Sequence, residues 1–367
     1  MRNNDPTKES ESVAIESKIE HDRGSYWSES TFLEWIDEVP GQKDLTLSKG
    51  ILVHKKRLSP AIYGSIEKYT FHTDTGEDSV VCVKKIRKNW RRDGRKECAE
   101  DPLAEIRLMR EFAVEEGVDK CDRHHITVSK HVFQSLTHYY SVFDFFPCDL
   151  FTYVKARPNE YLSEREAKRI FRQLIVGLSF LHERGIAHLD LSLENIVVGE
   201  DSNVRIIDFG QARKISHGQR LRGLLFGKEA YVFPKVIEGE WFDPFEADVW
   251  SAGVILFCIL TGYPPFDIPT PNHQSYRMIS LRENGGLDQL LVHWDRNYVS
   301  AAAREMLKSM LRFDAIGRRA DYAQRSLALV KTNTWIRDID SETRSIAYVE
   351  TDQRCSAKRL RVESPSE

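Results

Sequence analysis

The sequence predicts an α+β chain in which a small antiparallel β-rich lobe precedes a larger, mainly α-helical one. Strand-like runs crowd into residues 51–144, whereas long helical patterns dominate after residue 150. Residues 145–150, Phe-Phe-Pro-Cys-Asp-Leu, read as a proline-containing linker between them. Hydrophobic residues make up 41% of the 367 positions, enough for a sizeable core. Net charge is −3, so overall basicity does not point to nucleic acid. No apolar run reaches the ~18 residues of a membrane span. Six cysteines without paired CxxC spacing read as reduced thiols. The expected location is therefore cytoplasmic, with Lys358-Arg359-Leu360-Arg361 as a weak nuclear-import signal.

Taken in order, residues 1–45 are expected to be a flexible extension, charged and serine-rich at the start. Within it, residues 26–39 carry Trp27, Phe32, Leu33, Trp35 and Ile36, with Ser30 or Thr31 placed to cap a short helix. Residues 51–58, 65–71 and 80–86 form a three-strand meander with turns at 59–64 and 73–78. Lys84 lies among apolar neighbours in the third strand, a costly position unless its ammonium meets an anion. Lys85 points to the opposite face, towards solvent. Residues 89–101, with Arg91, Arg92, Arg95 and Lys96, are a charged connector. Pro102 opens a helix to residue 112, with Leu103, Ile106 and Met109 at helical spacing. Residues 126–133 and 139–144 add two strands and complete a five-stranded antiparallel sheet. In the second lobe Ser163 caps a helix over 163–184, with Gly185 at its end. An apolar helix covers 254–260, and further helices fit 275–282, 300–311 and 321–331. Residues 339–367 are polar and are expected to be a disordered tail.

Residues 186–210 organise the rest. Two apolar β-type runs, 196–198 and 204–207, flank a polar turn at 199–203. This short hairpin has a carboxylate at each end, Asp190 and Asp208, and folding it brings Asp190, Asn195 and Asp208 to one mouth. Two carboxylates and an amide oxygen form a hard-oxygen cluster, which suits Mg²⁺ better than zinc. One carboxylate is left to orient a hydroxyl. Such a set is equipped to move a phosphoryl group, where catalysis is mostly positioning and charge neutralisation.

The same residues resemble those of a known family. His188-Leu189-Asp190-Leu191-Ser192-Leu193-Glu194-Asn195, followed by Asp208-Phe209-Gly210, is similar to the H-R-D-L-x-x-x-N and D-F-G of the eukaryotic protein kinases. Further segments fall in the family's order from about residue 48 to residue 336. Val81-Cys82-Val83-Lys84 resembles V-A-I-K, and Asp248-Val249-Trp250-Ser251-Ala252-Gly253 resembles D-x-W-S-x-G. Gly262-Tyr263-Pro264-Pro265-Phe266 resembles a G-x-x-P-F turn, and Trp335 the family's last tryptophan.

The resemblance implies a bilobal protein-kinase-like fold over residues 46–338. Its N-lobe, 46–145, holds the family's helix C, and its C-lobe is 146–338. It implies a Ser/Thr protein kinase that uses ATP and Mg²⁺, since Ser192-Leu193-Glu194 resembles the K-P-E of that branch. Asp190 would accept the substrate proton, Asn195 and Asp208 would hold Mg²⁺, and Lys84, paired with Glu105, would meet the α/β-phosphates. The implied nucleotide site adds Leu58, Gly64, Ile66, Cys82, Phe143 as gatekeeper, Asp144, Phe146, Asp149 and Val197. Cys148 is expected at its rim, and Asp248 is expected to brace the backbone of His188 and Leu189. The implied partners are protein substrates and ATP, with no nucleic acid or membrane, and the chain is expected to be a monomer.

Several positions depart from the family. Ser59-Pro60-Ala61-Ile62-Tyr63-Gly64-Ser65-Ile66 keeps only the last glycine of G-x-G-x-x-G-x-V, and Pro60 removes an N–H donor. Phosphates are therefore expected to be held less closely there. Leu189 replaces the arginine that grips a phosphorylated activation segment, so modification of Ser216 is not expected to be required. Ser192 replaces a lysine that touches the γ-phosphate, so activity is lowered or another cation fills the space. Lys235 replaces the glutamate of A-P-E and cannot pair with Arg318. These losses suit an alternative, a pseudokinase scaffold; the complete Lys84, Asp190, Asn195 and Asp208 set argues against it.

Overall fold

The computed structural model describes residues 37–38, 45–47, 50–89, 101–200, 202–216, 218–222, 227–280, 286–311, 327 and 330–337. Seven strands form the small lobe's sheet: β1 (Asp37–Glu38), β2 (Leu45–Leu47), β3 (Gly50–Ala61), β4 (Gly64–Thr73), β5 (Asp78–Arg87), β6 (His131–Gln134) and β7 (His138–Asp144). Their order is β1-β6-β7-β5-β4-β3-β2. The five expected strands are its centre; β1 and β2 extend both edges. Among the described residues of this sheet, only the β1–β6 pairing is parallel. Asp37–Glu38 are thus extended, where the sequence suggested the end of a helix. The rest of that expected helix lies outside the described residues, as do Arg91, Arg92, Arg95, Lys96, Arg318 and the tail.

Two other strand expectations need correction. The turn between β3 and β4 is only Ile62 and Tyr63, because Ala61 already pairs with Gly64. A Cβ on Gly64 would lie 1.8 Å from the Lys85 carbonyl oxygen, so only glycine fits this close strand approach. Register shifts between His54 and Lys56 and between Arg57 and Ser59 bend β3, and Leu58 falls inside the second. β6 starts at His131 rather than at 126. The backbone at 125–127 is engaged elsewhere: Ile206 donates to His125, and Thr127 donates to Ile206, at 2.8 and 3.1 Å. This apolar stretch therefore joins the lobes instead of lengthening the sheet.

α1 (Pro102–Glu115) follows the sheet. Asp101 caps it, its Oδ1 accepting from the N–H groups of Leu103 and Ala104, and Pro102 starts it without wasting a donor. Its apolar face is shared: Leu103 and Ile106 enter the small lobe's core, while Met109 and Phe112 enter the large one's. α2 (Val118–Arg123) leads back to the sheet.

The linker ends in β8 (Cys148–Asp149) and α3 (Leu150–Lys155). α4 (Glu164–His182) and α6 (Pro244–Thr261) form the axis of the helical lobe. Around them lie β9 (Ile186–Ala187), β10 (Ile196–Val198), β11 (Val204–Ile206), β12 (Arg213–Lys214), α5 (Pro234–Ile237), α7 (Gln274–Ser280), α8 (Gly286–His293), α9 (Ala301–Met310) and α10 (Thr334–Arg337). α2, α3, α5, α8 and α10 were not expected from the sequence. Of the helix expected over 321–331, only Leu327 and residues 330–331 are described, all helical. α6 is apolar along nearly its whole length and almost wholly buried, as a core helix should be.

Candidate active site

The site is assembled where the two lobes meet. Register sets Ile66 opposite Lys84 and Phe143 opposite Cys82, so alternation puts all four on one face of the sheet. Lys84 Nζ lies 2.6 Å from Glu105 Oε2 on α1 and 3.3 Å from Asp208 Oδ1. Glu105 is 3% exposed and Lys84 15%, so neither charge could stay there without the other. Lys85, on the opposite face, is not simply solvated: it lies 3.7 Å from Glu67 and 5.6 Å from the Tyr140 ring.

The β10–β11 hairpin forms as its pattern requires, with Ile196 opposite Ile206 and Val198 opposite Val204. Asn195 Nδ2 donates to Asp190 Oδ2 at 3.0 Å and to the Asp190 carbonyl at 2.7 Å. The Asn195 carbonyl accepts from the Ile207 N–H at 3.0 Å, which fixes the residue before Asp208. Asp190 and Asn195 are thus in direct contact, and Asp208 is tied to them through the backbone and to Lys84 through its side chain.

Leu189 and Asp208 both have φ of 64°, a left-handed conformation that costs a non-glycine residue about 1 kcal/mol or more. Surrounding bonds hold it. Asp248, fully buried in α6, accepts from the N–H groups of His188 and Leu189, each at 2.8 Å, and from the His182 ring at 2.9 Å. His188 Nε2 donates to the Ile207 carbonyl at 3.0 Å while its Nδ1 accepts from the Asp190 N–H at 3.3 Å, which specifies one neutral tautomer. Burial holds the His188 pKa down, in keeping with that neutral ring. Phe209 packs edge-on against Phe112 of α1 and beside His188. The Gly210 carbonyl accepts from the Asp101 N–H at 2.9 Å, so the segment after Asp208 is fastened to the start of α1. The Lys84 ammonium pulls the Asp208 carboxyl below the usual carboxylate range, outweighing burial.

The remaining expected site residues frame this centre. Val197 pairs with Asp149 across β10 and β8. One Asp149 oxygen caps α3, accepting from the Thr152 N–H at 2.7 Å. The Asp144 carboxylate is held by Lys130 at 2.6 Å and Arg205 at 3.2 Å, leaving its backbone as the part that could meet a ligand. The Phe146 ring lies 5.1 Å from the Arg205 guanidinium, and Leu58 is exposed. Burial pushes the Cys82 thiol up to about 12 and also raises Cys148, so neither is a ready thiolate.

One residue escaped the sequence reading. Lys228 Nζ lies 3.2 Å from Ser192 Oγ and 3.2 Å from Glu194 Oε2. Its only linear signal was a cation in the segment after Gly227, in a chain that lacks one at position 192. Among the described residues no group of three or more His, Cys, Asp or Glu gathers as a metal cage. The fit is instead to Mg²⁺, which at phosphate sites takes one or two carboxylates and fills its shell with phosphate oxygens and water. Asn195 and Asp208 offer that donor set.

A two-lobed fold in which a lysine paired to a helix glutamate in the small lobe also meets an acidic loop of the large lobe defines a phosphotransferase-type site. A family profile described as "Protein kinase domain" matches residues 63–327, and the chain belongs to that family. Maternal embryonic leucine zipper kinase of Danio rerio is 38% identical over 154 residues, 41% of this chain and 22% of the relative. NUAK family SNF1-like kinase 2 of Rattus norvegicus is 31% identical over 211 residues, 57% of this chain and 31% of the relative. CBL-interacting serine/threonine-protein kinase 15 of Arabidopsis thaliana is 46% identical over 108 residues, 29% and 25% respectively. The chain thus spans under a third of the length of each.

Proposed function

We propose that this chain is an active Ser/Thr protein kinase, transferring the γ-phosphoryl group of ATP to hydroxyls of protein substrates through a domain covering residues 46–338. The observation that carries the reading is the contact of Lys84 with both Glu105 and Asp208, which joins the two lobes through one ammonium. A scaffold has no physical need to bury that charge where an acidic loop meets it. The names of these relatives are all those of kinases, and that of the Arabidopsis thaliana relative is of the serine/threonine type, which supports the same substrate class.

In this reading Lys84 meets the α/β-phosphates while Glu105 holds it in place. Asp190, steadied by Asn195, orients the substrate hydroxyl and takes its proton. Asn195 and Asp208 hold Mg²⁺, which when bound neutralises charge on the phosphates. Asp208 is well placed for this, because its depressed pKa keeps it ionised. Leu58, Gly64, Ile66, Cys82, Phe143, the backbone of Asp144 and Phe146, Asp149 and Val197 enclose the nucleotide.

Transfer of radiolabelled phosphate from ATP to a generic protein substrate tests the proposal. The wild-type chain should label substrate, and Asp190→Asn should cut the rate at least ~100-fold, the lower range for a positioned acid–base group. Equal background labelling by both would leave the scaffold reading instead.

A further inference from the structure

We infer that Lys228, rather than a residue of the catalytic loop, supplies the ammonium that meets the transferred phosphate in this chain; the inference rests on the kinase reading above. The transferred group spreads negative charge over its equatorial oxygens, and a cation aimed at that charge lowers the barrier. Residues 188–195, which carry Asp190, contain no lysine or arginine. Ser192, two residues from Asp190, is fully buried and uncharged. Lys228 brings its ammonium to this loop, 3.2 Å from Ser192 Oγ.

The backbone that delivers Lys228 is fixed against the acidic centre. Gly227 has φ of +79°, and a Cβ there would lie 3.2 Å from the Leu189 carbonyl and 3.7 Å from Asp190 Oδ1. Its N–H donates to Gln211 Oε1 at 3.0 Å, and Gln211 directly follows Asp208-Phe209-Gly210. Lys228 is therefore carried by a residue packed on Asp190 and tethered beside Asp208.

The ammonium is also available. Lys228 is 44% exposed, so its ammonium can be reached from solvent while it lies beside Glu194. Lys84, by contrast, is largely covered and held by both Glu105 and Asp208. The two lysines divide the work: Lys84 holds the nucleotide, and Lys228 answers charge at the group that leaves it.

The full-length chain tests this. Lys228→Met should lower kcat roughly 100-fold, the scale for losing one preorganised donor. In calorimetric titrations with Mg²⁺ it should also erase the preference for ATP over ADP, because only ATP carries the contacted phosphate. Its ADP affinity should match wild type, which reports an intact fold. Combining Ser192→Lys with Lys228→Thr should restore both rate and ATP preference, since the cation returns from the other backbone. A Lys228→Met chain with unchanged kcat and unchanged ATP-to-ADP ratio overturns the inference, as does a double variant no better than Lys228→Met. If wild type binds both nucleotides but transfers nothing, the kinase reading alone fails, and the ATP-to-ADP ratio still decides the role of Lys228. A wild type that binds neither nucleotide overturns both.

Discussion

Asp248 takes three hydrogen bonds inside α6, from the backbone of His188 and Leu189 and from the His182 ring. Two of them hold the catalytic loop through Leu189, whose left-handed backbone would relax without them. Asp248→Asn keeps the size but puts an amide N–H against at least one donor. We expect a loss of about 3 kcal/mol, the upper range for a bond to a charged group, with an intact transition slope in urea. Activity should fall further than stability accounts for, because Asp190 loses its setting. A midpoint within error of wild type would show that the brace is dispensable. At this scale the sequence was informative about identity: Asp248, Asp190, Asn195 and Asp208 were all legible as a set, each carried by a motif. Lys228 was not, because its role depends on a distance to Ser192 across 36 positions that no local pattern encodes.

Elements add constraints that single residues do not show. Glu164, at the first turn of α4, accepts from Ser300 Oγ and Trp335 Nε1, both at 2.6 Å, and from the Ser300 N–H at 3.1 Å. It therefore ties α4 to the start of α9 and to α10. Burial alone would raise its pKa, but the bonds from Ser300 and Trp335 outweigh it and hold the carboxyl below the usual glutamate range. With the folded-state pKa depressed, the ionised form contributes stability above the usual glutamate range. That contribution fades as pH falls through the range and is gone below the folded value. Glu164→Gln should lower stability by about 2 kcal/mol at neutral pH and flatten the acid limb of a stability–pH curve. A variant whose curve parallels wild type down to acid pH would refute this. The elements themselves were mostly legible, since β3, β4, β5, β7, α1 and α4 follow clear periodicity and caps. The errors fell on short or edge pieces. β1 and β2 exist through pairing with partners, and residues 126–127, expected to open a strand, were claimed by β11.

On the scale of the molecule, α1 is the member both cores share, and the Lys84–Asp208 contact links the small lobe to the large one. Phe209 lodged against Phe112, and Asp101 bonded to Gly210, fasten the segment after Asp208 in the same arrangement. β12 continues that segment, pairing Arg213 with Ala187 and Lys214 with Ile186 just before the catalytic loop. These contacts are made by backbone groups and aromatic rings and do not run through a phosphate. Leu189, buried at the position of the family's phosphate-gripping arginine, could not hold one. Ser216 is exposed, with its N–H bonded to the Gln219 side chain. Ser216→Ala should therefore leave kcat essentially unchanged in a purified-chain assay; complete loss of activity would mean that the segment does require modification.

By itself, the sequence determined the fold class, the order of the two lobes and the identities of the acidic centre, because periodicity, caps and turn chemistry are local properties. What tertiary structure alone decided was which charges meet. Lys84 and Glu105 are 21 positions apart, Lys84 and Asp208 are 124 apart, and Lys228 reaches back to Ser192. Coulomb and hydrogen-bond energies depend on distance in space, and those distances exist only once the chain has folded, for Lys84 and Asp208 only once the two lobes have met.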